Sequence, residues 1–128
     1  MLLIRARAGT SQIHGLGLIA QEAIPAGTVM WRFQEGFDVK IPASRLPDFS
    51  PNAQEQILYY AYFHEESQTY VLSSDDDRFT NHADDPNTRA VEDYVYAVRD
   101  IAAGEEITSN YDEFFKLSYR PLKTDINP

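Results

Sequence analysis

The sequence predicts a β-dominated α+β domain, and three observations carry that reading. Apolar and β-branched residues fall in short runs of strand length, glycine and proline turns punctuate them, and one segment alone repeats its apolar residues at helical spacing. The chain has 128 residues, a length that fits one domain and can bury a core unaided. It contains no cysteine, which removes disulfide staples, cysteine zinc sites, iron–sulfur clusters and thiol nucleophiles together.

The elements follow in order. Leu2 to Ala8 reads as an edge strand, apolar with Arg5 and Arg7 at alternate positions. Gly15-Leu16-Gly17-Leu18-Ile19-Ala20 is a short strand entered through a glycine turn, and Ile24-Pro25-Ala26-Gly27 is a turn, because proline presets φ and glycine accepts φ above zero. Thr28 to Phe33 and Phe37 to Ile41 are strands separated by Gln34-Glu35-Gly36. Ser50-Pro51 is an N-cap with proline at the first helical position, and Ala53, Ile57, Tyr60, Ala61 and His64 then recur at helical spacing. That places one amphipathic helix over about residues 51–64. Thr69 to Leu72 is a strand, and Ser73 to Asp77 an acidic, solvated loop. Tyr94 to Arg99 is a strand, Ala102 to Glu106 a turn, Ile107 to Tyr111 the last strand, and Phe114 to Leu117 the start of a short helix.

Charge bounds the partners. Eleven Lys and Arg stand against 20 Asp and Glu, a formal net charge of −9 and a pI near 4.6. General nucleic-acid binding needs a basic footprint and is excluded on this ground, whereas a basic partner suits an acidic surface. No apolar run approaches the roughly 20 residues of a membrane span. Met1-Leu2-Leu3-Ile4-Arg5 is too short and too soon charged for a signal peptide. For a bacterial source the expected location is therefore the cytoplasm, with no membrane partner.

Several motifs carry candidate chemistry, each with a plainer reading. Gly15 to Ala20 matches the dinucleotide fingerprint G-x-G-x-x-A, but that fingerprint needs a helix directly behind it, and Pro25 and Gly27 stop any helix within about one turn. What remains is a glycine-rich strand bend or a bare backbone that approaches a ligand. His14, His64 and His82 share no metal-ligand spacing. His64-Glu65-Glu66-Ser67-Gln68 ends in Gln where a zinc motif needs His, and Asp75-Asp76-Asp77 lacks the spacing of a calcium loop. No metal site is expected. Arg78-Phe79-Thr80-Asn81-His82 followed by Pro86-Asn87 crowds two Asn, one His and one Pro together, and an Asx-turn loop is the plain alternative. Gly104-Glu105-Glu106-Ile107-Thr108 taken alone is a hairpin turn feeding a strand.

Taken in this order, the segments resemble the SET-domain protein-lysine methyltransferases, most of all the minimal viral and bacterial SET proteins. Gly15-Leu16-Gly17-Leu18 with Ala20 is similar to the first family motif. Arg78-Phe79-Thr80-Asn81-His82 with Pro86-Asn87 resembles R-F-x-N-H-S-C-x-P-N, and Gly104 to Tyr111 resembles G-E-E-L-T-x-D-Y. Ala83-Asp84 stands where the family has Ser-Cys, Asn110 where it has Asp, and Asp75-Asp76-Asp77 where a Gly-Asn pair is common. The resemblance implies a SET-domain (β-clip) fold of short strands in small sheets with one helix and a C-terminal pseudoknot. It also implies a single domain over 1–128, with a core of about 4–112 and a cofactor-covering segment of about 113–128.

The activity implied is methyl transfer from S-adenosylmethionine (SAM) to a lysine ε-amine of a basic, histone-like or other protein, leaving S-adenosylhomocysteine. The alternative is a SET-fold module that binds SAM or a lysine peptide without useful turnover. By the same resemblance Tyr111 is the catalytic residue, acting by positioning. Gly15, Leu16 and Gly17 bring main chain to the cofactor, Asn81 holds its amino-acid end, and His82 lends backbone contacts. Phe115 or Phe114 stacks on adenine, a dimer interface being the other use of those rings. Tyr70, Phe79 and Tyr96 are candidates for the walls of the substrate channel.

Overall fold

The structure, a computed structural model, describes residues 1–91 and 93–113. Within them are ten short strands and one helix: β1 Ala6–Thr10, β2 Leu16–Ala20, β3 Val29–Arg32, β4 Val39–Pro42, α1 Pro51–Tyr60, β5 Tyr62–His64, β6 Thr69–Leu72, β7 Asn81–His82, β8 Thr88–Val91, β9 Tyr94–Ala97 and β10 Glu106–Ser109. Three-ten turns occupy Ala43–Asp48, Asp76–Phe79 and Tyr111–Glu113. This is the β-dominated α+β architecture of small sheets that the sequence predicts.

The strands form three sheets, ordered β1-β2-β10-β7, β3-β9-β8 and β4-β6-β5. The first positions the site. β10 runs antiparallel to β2, with Ile107 opposite Leu18, and parallel to β7, with Thr108 opposite Asn81 and Ser109 opposite His82. Segments from three distant parts of the chain thus meet on one strand. The Asn-His segment lies directly beside β10.

Two apolar clusters hold the sheets together. Leu18, Ala20, Ile24, Met30, Ala97, Ile101 and Ile107 form one, and Ile57, Ala61, Phe63, Tyr70 and Tyr111 the other. Burying each of the larger aliphatic or phenylalanine side chains contributes roughly 1.5–3 kcal/mol. A bridge between Ile24 and Ile101 ties the two glycine turns, with reciprocal backbone hydrogen bonds of 2.8 Å.

The structure corrects several boundaries. The first strand begins at Ala6, not Leu2. Leu2 instead bridges to Trp31, and the Leu3 amide donates to the Met30 carbonyl at 2.7 Å. The helix starts where Ser50 and Pro51 place it, Ser50 Oγ accepting from the Ala53 amide, but it ends at Tyr60 rather than at residue 64. Ala61 turns extended, and Tyr62–His64 pairs antiparallel with Val71, Tyr70 and Thr69. Phe63 is thereby buried against Tyr70, edge to face with ring centres 5.2 Å apart. The residues that suggested a longer helix also satisfy a strand period. The last strand stops at Ser109, and Tyr111 opens a three-ten turn. The helix expected over Phe114 to Leu117 lies outside the described residues.

The acidic stretch is not merely solvated. Asp75 Oδ2 accepts from the Leu2 amide at 2.7 Å, and Asp76 Oδ2 from the Ala8 amide at 2.9 Å. These carboxylates satisfy amides of the N-terminal segment. Asp38, which is buried, receives the Met1 α-ammonium at 2.6 Å and the amides of Gln34 and Ser74.

Candidate active site

Asn81 sits at the start of β7, 3% exposed, with its amide nitrogen inside a ring of acceptors. Asn81 Nδ2 lies 3.0 Å from the carbonyls of His14 and Leu16, 3.0 Å from Glu106 Oε2 and 3.1 Å from Ser11 Oγ. The side chain therefore fastens the glycine loop to β7 and β10. Glu106 completes the clasp by accepting from Ser11 Oγ at 2.8 and 2.9 Å. A Cβ at Gly17 would meet the Glu106 carboxylate, so a side chain there would have to displace Glu106 from Ser11 and Asn81. Gly15 has φ +47°, in the left-handed region that favours glycine.

Asn87 performs a second clasp. Its Oδ1 accepts from the Thr108 amide at 2.9 Å while its Nδ2 donates to the Glu106 carbonyl at 2.9 Å, so the side chain pairs with β10 as a strand would. The Pro86-Asn87 pair thus has a structural use, at a position 2% exposed.

Tyr111 is 5% exposed, and its hydroxyl donates to the Thr80 carbonyl at 2.5 Å. Burial raises its pKa above the usual tyrosine value, with smaller contributions from Tyr59, Asp77 and Glu106. The phenol stays neutral at physiological pH. The Tyr111 amide donates to His82 Nδ1 at 3.0 Å, and His82 Nε2 lies 2.8 Å from Asp84 Oδ1. Since Nδ1 accepts, Nε2 carries the proton and donates to Asp84. Asn110 caps the turn that Tyr111 opens, its Oδ1 accepting from the Asp112 amide at 2.9 Å.

Two cavities flank these residues. One, of about 200 Å³, is lined by His14, Gly15, Leu16, Tyr59, Tyr60, Phe79 and Asn81. The other, of about 60 Å³, includes Trp31, Tyr60, Tyr62, Thr80, Ser109 and Tyr111 in its walls. Tyr60 lines both, and the consecutive residues Thr80 and Asn81 line one each, so the cavities share a wall. In the larger, His14 Nε2 pairs with the Tyr59 hydroxyl at 3.1 Å while His14 Nδ1 is buried with no partner among the described residues.

Of the residues singled out from sequence, Gly15, Leu16, Asn81 and Phe79 meet at the larger cavity. Gly17 answers to Glu106 rather than to open space, and the His82 ring is turned to the Tyr111 backbone. Tyr111 lines the smaller cavity. Tyr70 packs in the core beside Phe63, and Tyr96, opposite Val29 and Arg89, lines neither cavity. Phe114 and Phe115 lie outside the described residues. Sequence reasoning missed His14, Tyr59, Tyr60 and Tyr62 as site residues. The available signal was the aromatic run Tyr59-Tyr60-Ala61-Tyr62, which crosses from helix to strand and so aims rings in several directions. Among the described residues no group of three or more His, Asp or Glu is placed to hold a metal ion, and no helix is long and apolar enough to cross a membrane.

Comparison with known proteins bears on the fold and the family. The family model described as SET domain matches residues 15–112. Among solved structures, the Chaetomium thermophilum Polycomb Repressive Complex 2 bound to GSK126 superposes with a TM-score of 0.68 at 23% identity, covering 89% of this chain and 16% of that one. The structure described as ctPRC2 in an autoinhibited conformation bound to S-adenosylmethionine gives 0.64 at 24% identity, covering 90% and 16%. The chain thus spans about one-sixth of the length of these neighbours, and the likeness is one of fold. No curated protein matches the sequence.

Proposed function

Because this chain belongs to the SET-domain family, whose members are SAM-dependent lysine methyltransferases, we propose that it methylates the ε-amine of lysine in a basic protein. The observation that carries the proposal is the pair of cavities sharing Tyr60, with Thr80 and Asn81 in the common wall and the Tyr111 hydroxyl held at Thr80. The larger cavity suits the cofactor and the smaller the lysine side chain.

The residues present fit a cofactor in the larger cavity. His14 Nδ1 is a buried polar atom without a partner there among the described residues, and the exposed residues Gly15 and Leu16 form the rim. His14, Gly15, Leu16, Phe79 and Asn81 would hold SAM, which when bound supplies an electrophilic methyl group. Asn81 contributes by fixing the carbonyls of His14 and Leu16, so that the loop is preorganised. The SAM-bound neighbour supports this use of the fold.

Tyr111 orients the amine. Its proton is committed to Thr80, so the hydroxyl oxygen presents lone pairs to an N–H of the incoming nitrogen. A phenol kept neutral by burial acts through this dipole, not as a phenolate base. The lysine must lose a proton before it can react, since its ammonium has no lone pair and an unperturbed pKa of about 10.4. Aromatic walls help, because desolvation favours the neutral amine. The net charge of −9 favours a basic substrate such as a histone-like tail.

Labelled SAM incubated with the protein and with core histones or other lysine-rich proteins tests the proposal. Transfer of label to lysine is expected. Calorimetric SAM binding with no transfer to any acceptor would replace it with a binding module.

A further inference from the structure

The smaller cavity carries a feature that its aromatic walls do not explain. Asp77 lines it together with Trp31, Tyr60, Tyr62 and Tyr111. The carboxylate is fixed there: Oδ2 accepts from Ser73 Oγ at 2.7 Å, and the Asp77 carbonyl takes the Thr80 amide and hydroxyl at 3.0 and 2.7 Å. Next to it, Arg78 lines the same cavity and donates from Nε and Nη2 to the Ser73 carbonyl at 3.1 and 2.7 Å. Ser73 therefore holds both charges, its hydroxyl on Asp77 and its carbonyl on Arg78. Among the described lining residues these two are the only formal charges.

A guanidinium set in an aromatic box repels an alkylammonium. The adjacent carboxylate offsets that repulsion, and an ammonium seated nearer to it than to the guanidinium is attracted on balance. We propose that Asp77 selects a cationic lysine side chain for this cavity and holds its ε-ammonium on entry. The inference rests on the assignment of this cavity to lysine made above. It makes Asp77 a substrate-binding residue.

The same carboxylate has an opposing effect on reaction. By stabilising the ammonium it raises the pH at which the amine becomes free, so its loss should weaken binding and move the alkaline rise of turnover to lower pH. The other groups facing an ammonium here are Arg78, Tyr60 from α1, Tyr62 from β5 and Tyr111 from the last turn. Tyr62 also feels Asp38 and Asp93, and Tyr111 feels Tyr59 and Glu106. Burial keeps Tyr62 and Tyr111 neutral, so among the described lining residues Asp77 and Arg78 carry the formal charges.

Trp31 makes the test direct. It is the single tryptophan, it lines this cavity, and its indole N–H gives one resonance. Titrating the full chain with n-butylammonium and with n-butanol, followed at that resonance, compares a lysine mimic with its uncharged analogue. Wild type is expected to prefer the ammonium at least tenfold. Asp77→Asn should lose that preference while SAM affinity and melting temperature stay close to wild type, and Asp77→Glu should restore part of it. Equal affinity of wild type for both probes overturns the proposal even where the variant does not fold, as does a preference retained by Asp77→Asn, and either result leaves the methyltransferase reading standing. A Trp31 resonance that responds to neither probe overturns the proposal together with the lysine assignment of the cavity.

Discussion

The Glu106 carboxylate lies 2.5 Å from the point where a Cβ on residue 17 would begin. Two residues from opposite ends of the chain therefore constrain each other, and the second glycine of the loop is explained by an internal neighbour. Gly17→Ala should displace Glu106 and loosen its hold on Ser11 and Asn81. Overpacking of this kind costs about 1–3 kcal/mol, and thermal unfolding of the variant should show it. A melting temperature equal to wild type would mean that Glu106 moves aside freely.

Asn81→Ala separates two roles for one side chain. As the clasp of the glycine loop it should lose stability and SAM affinity together, since each buried partner left unpaired costs about 1–3 kcal/mol. Calorimetry beside thermal unfolding reads both. Lost affinity at an unchanged melting temperature would point to a direct cofactor contact instead.

Tyr111→Phe removes the hydroxyl at the Thr80 carbonyl and keeps the ring in its cluster. Methyl transfer should fall at least about tenfold, within the range typical of a positioned polar group, with SAM affinity within a few-fold. Wild-type turnover in this variant would return Tyr111 to the core alone.

Turnover should climb from about pH 7 to about pH 9 as lysine ammonium is consumed. Tyr62 and Tyr111 cannot produce that rise, because burial, followed by nearby acidic or tyrosyl charge, holds both above the ordinary tyrosine pKa. Their effect belongs to stability. The folded state favours their neutral forms, so the contribution is complete below about pH 10, where unfolded tyrosine titrates, and is lost as pH rises further. Denaturant midpoints measured from about pH 8 to about pH 11 should be level at first and then decline.

Truncation after Asp112 should leave a folded domain with SAM affinity at least about tenfold weaker, because an aromatic ring against adenine contributes roughly 1–3 kcal/mol. Thermal shifts with and without SAM decide it. Equal shifts in the two chains would remove Phe114 and Phe115 from the cofactor, and lower stability without SAM would place them in the core or between copies.

The three motifs were legible because each is contiguous and their order is distinctive. Their meeting on β10 is what the fold adds. Asp75 and Asp76 read as solvent-facing because their partners, the Leu2 and Ala8 amides, are 73 and 68 residues away. The helix end was ambiguous because Ala61 and His64 fit helical spacing while Tyr62-Phe63-His64 also fits a pleated strand. Tyr70, Phe79 and Tyr96 are alike as letters. Only Phe79 reaches a cavity described here, because Tyr70 faces Phe63 and Tyr96 lies on β9 away from the shared wall.

The place of β10, between β2 and β7, has a consequence for when the candidate site assembles. The strand pairings that set β7 beside β2 pass through residues 106–109, the last strand of the described chain, and Asn81 reaches the glycine loop from the place β10 gives it. A growing polypeptide can therefore collapse its β4-β6-β5 and β3-β9-β8 sheets while the cavity beside Asn81 is still unformed. Long-range parallel pairing forms slowly, so binding competence should arrive late and all at once. Refolding followed by SAM binding should lag behind refolding followed by Trp31 fluorescence.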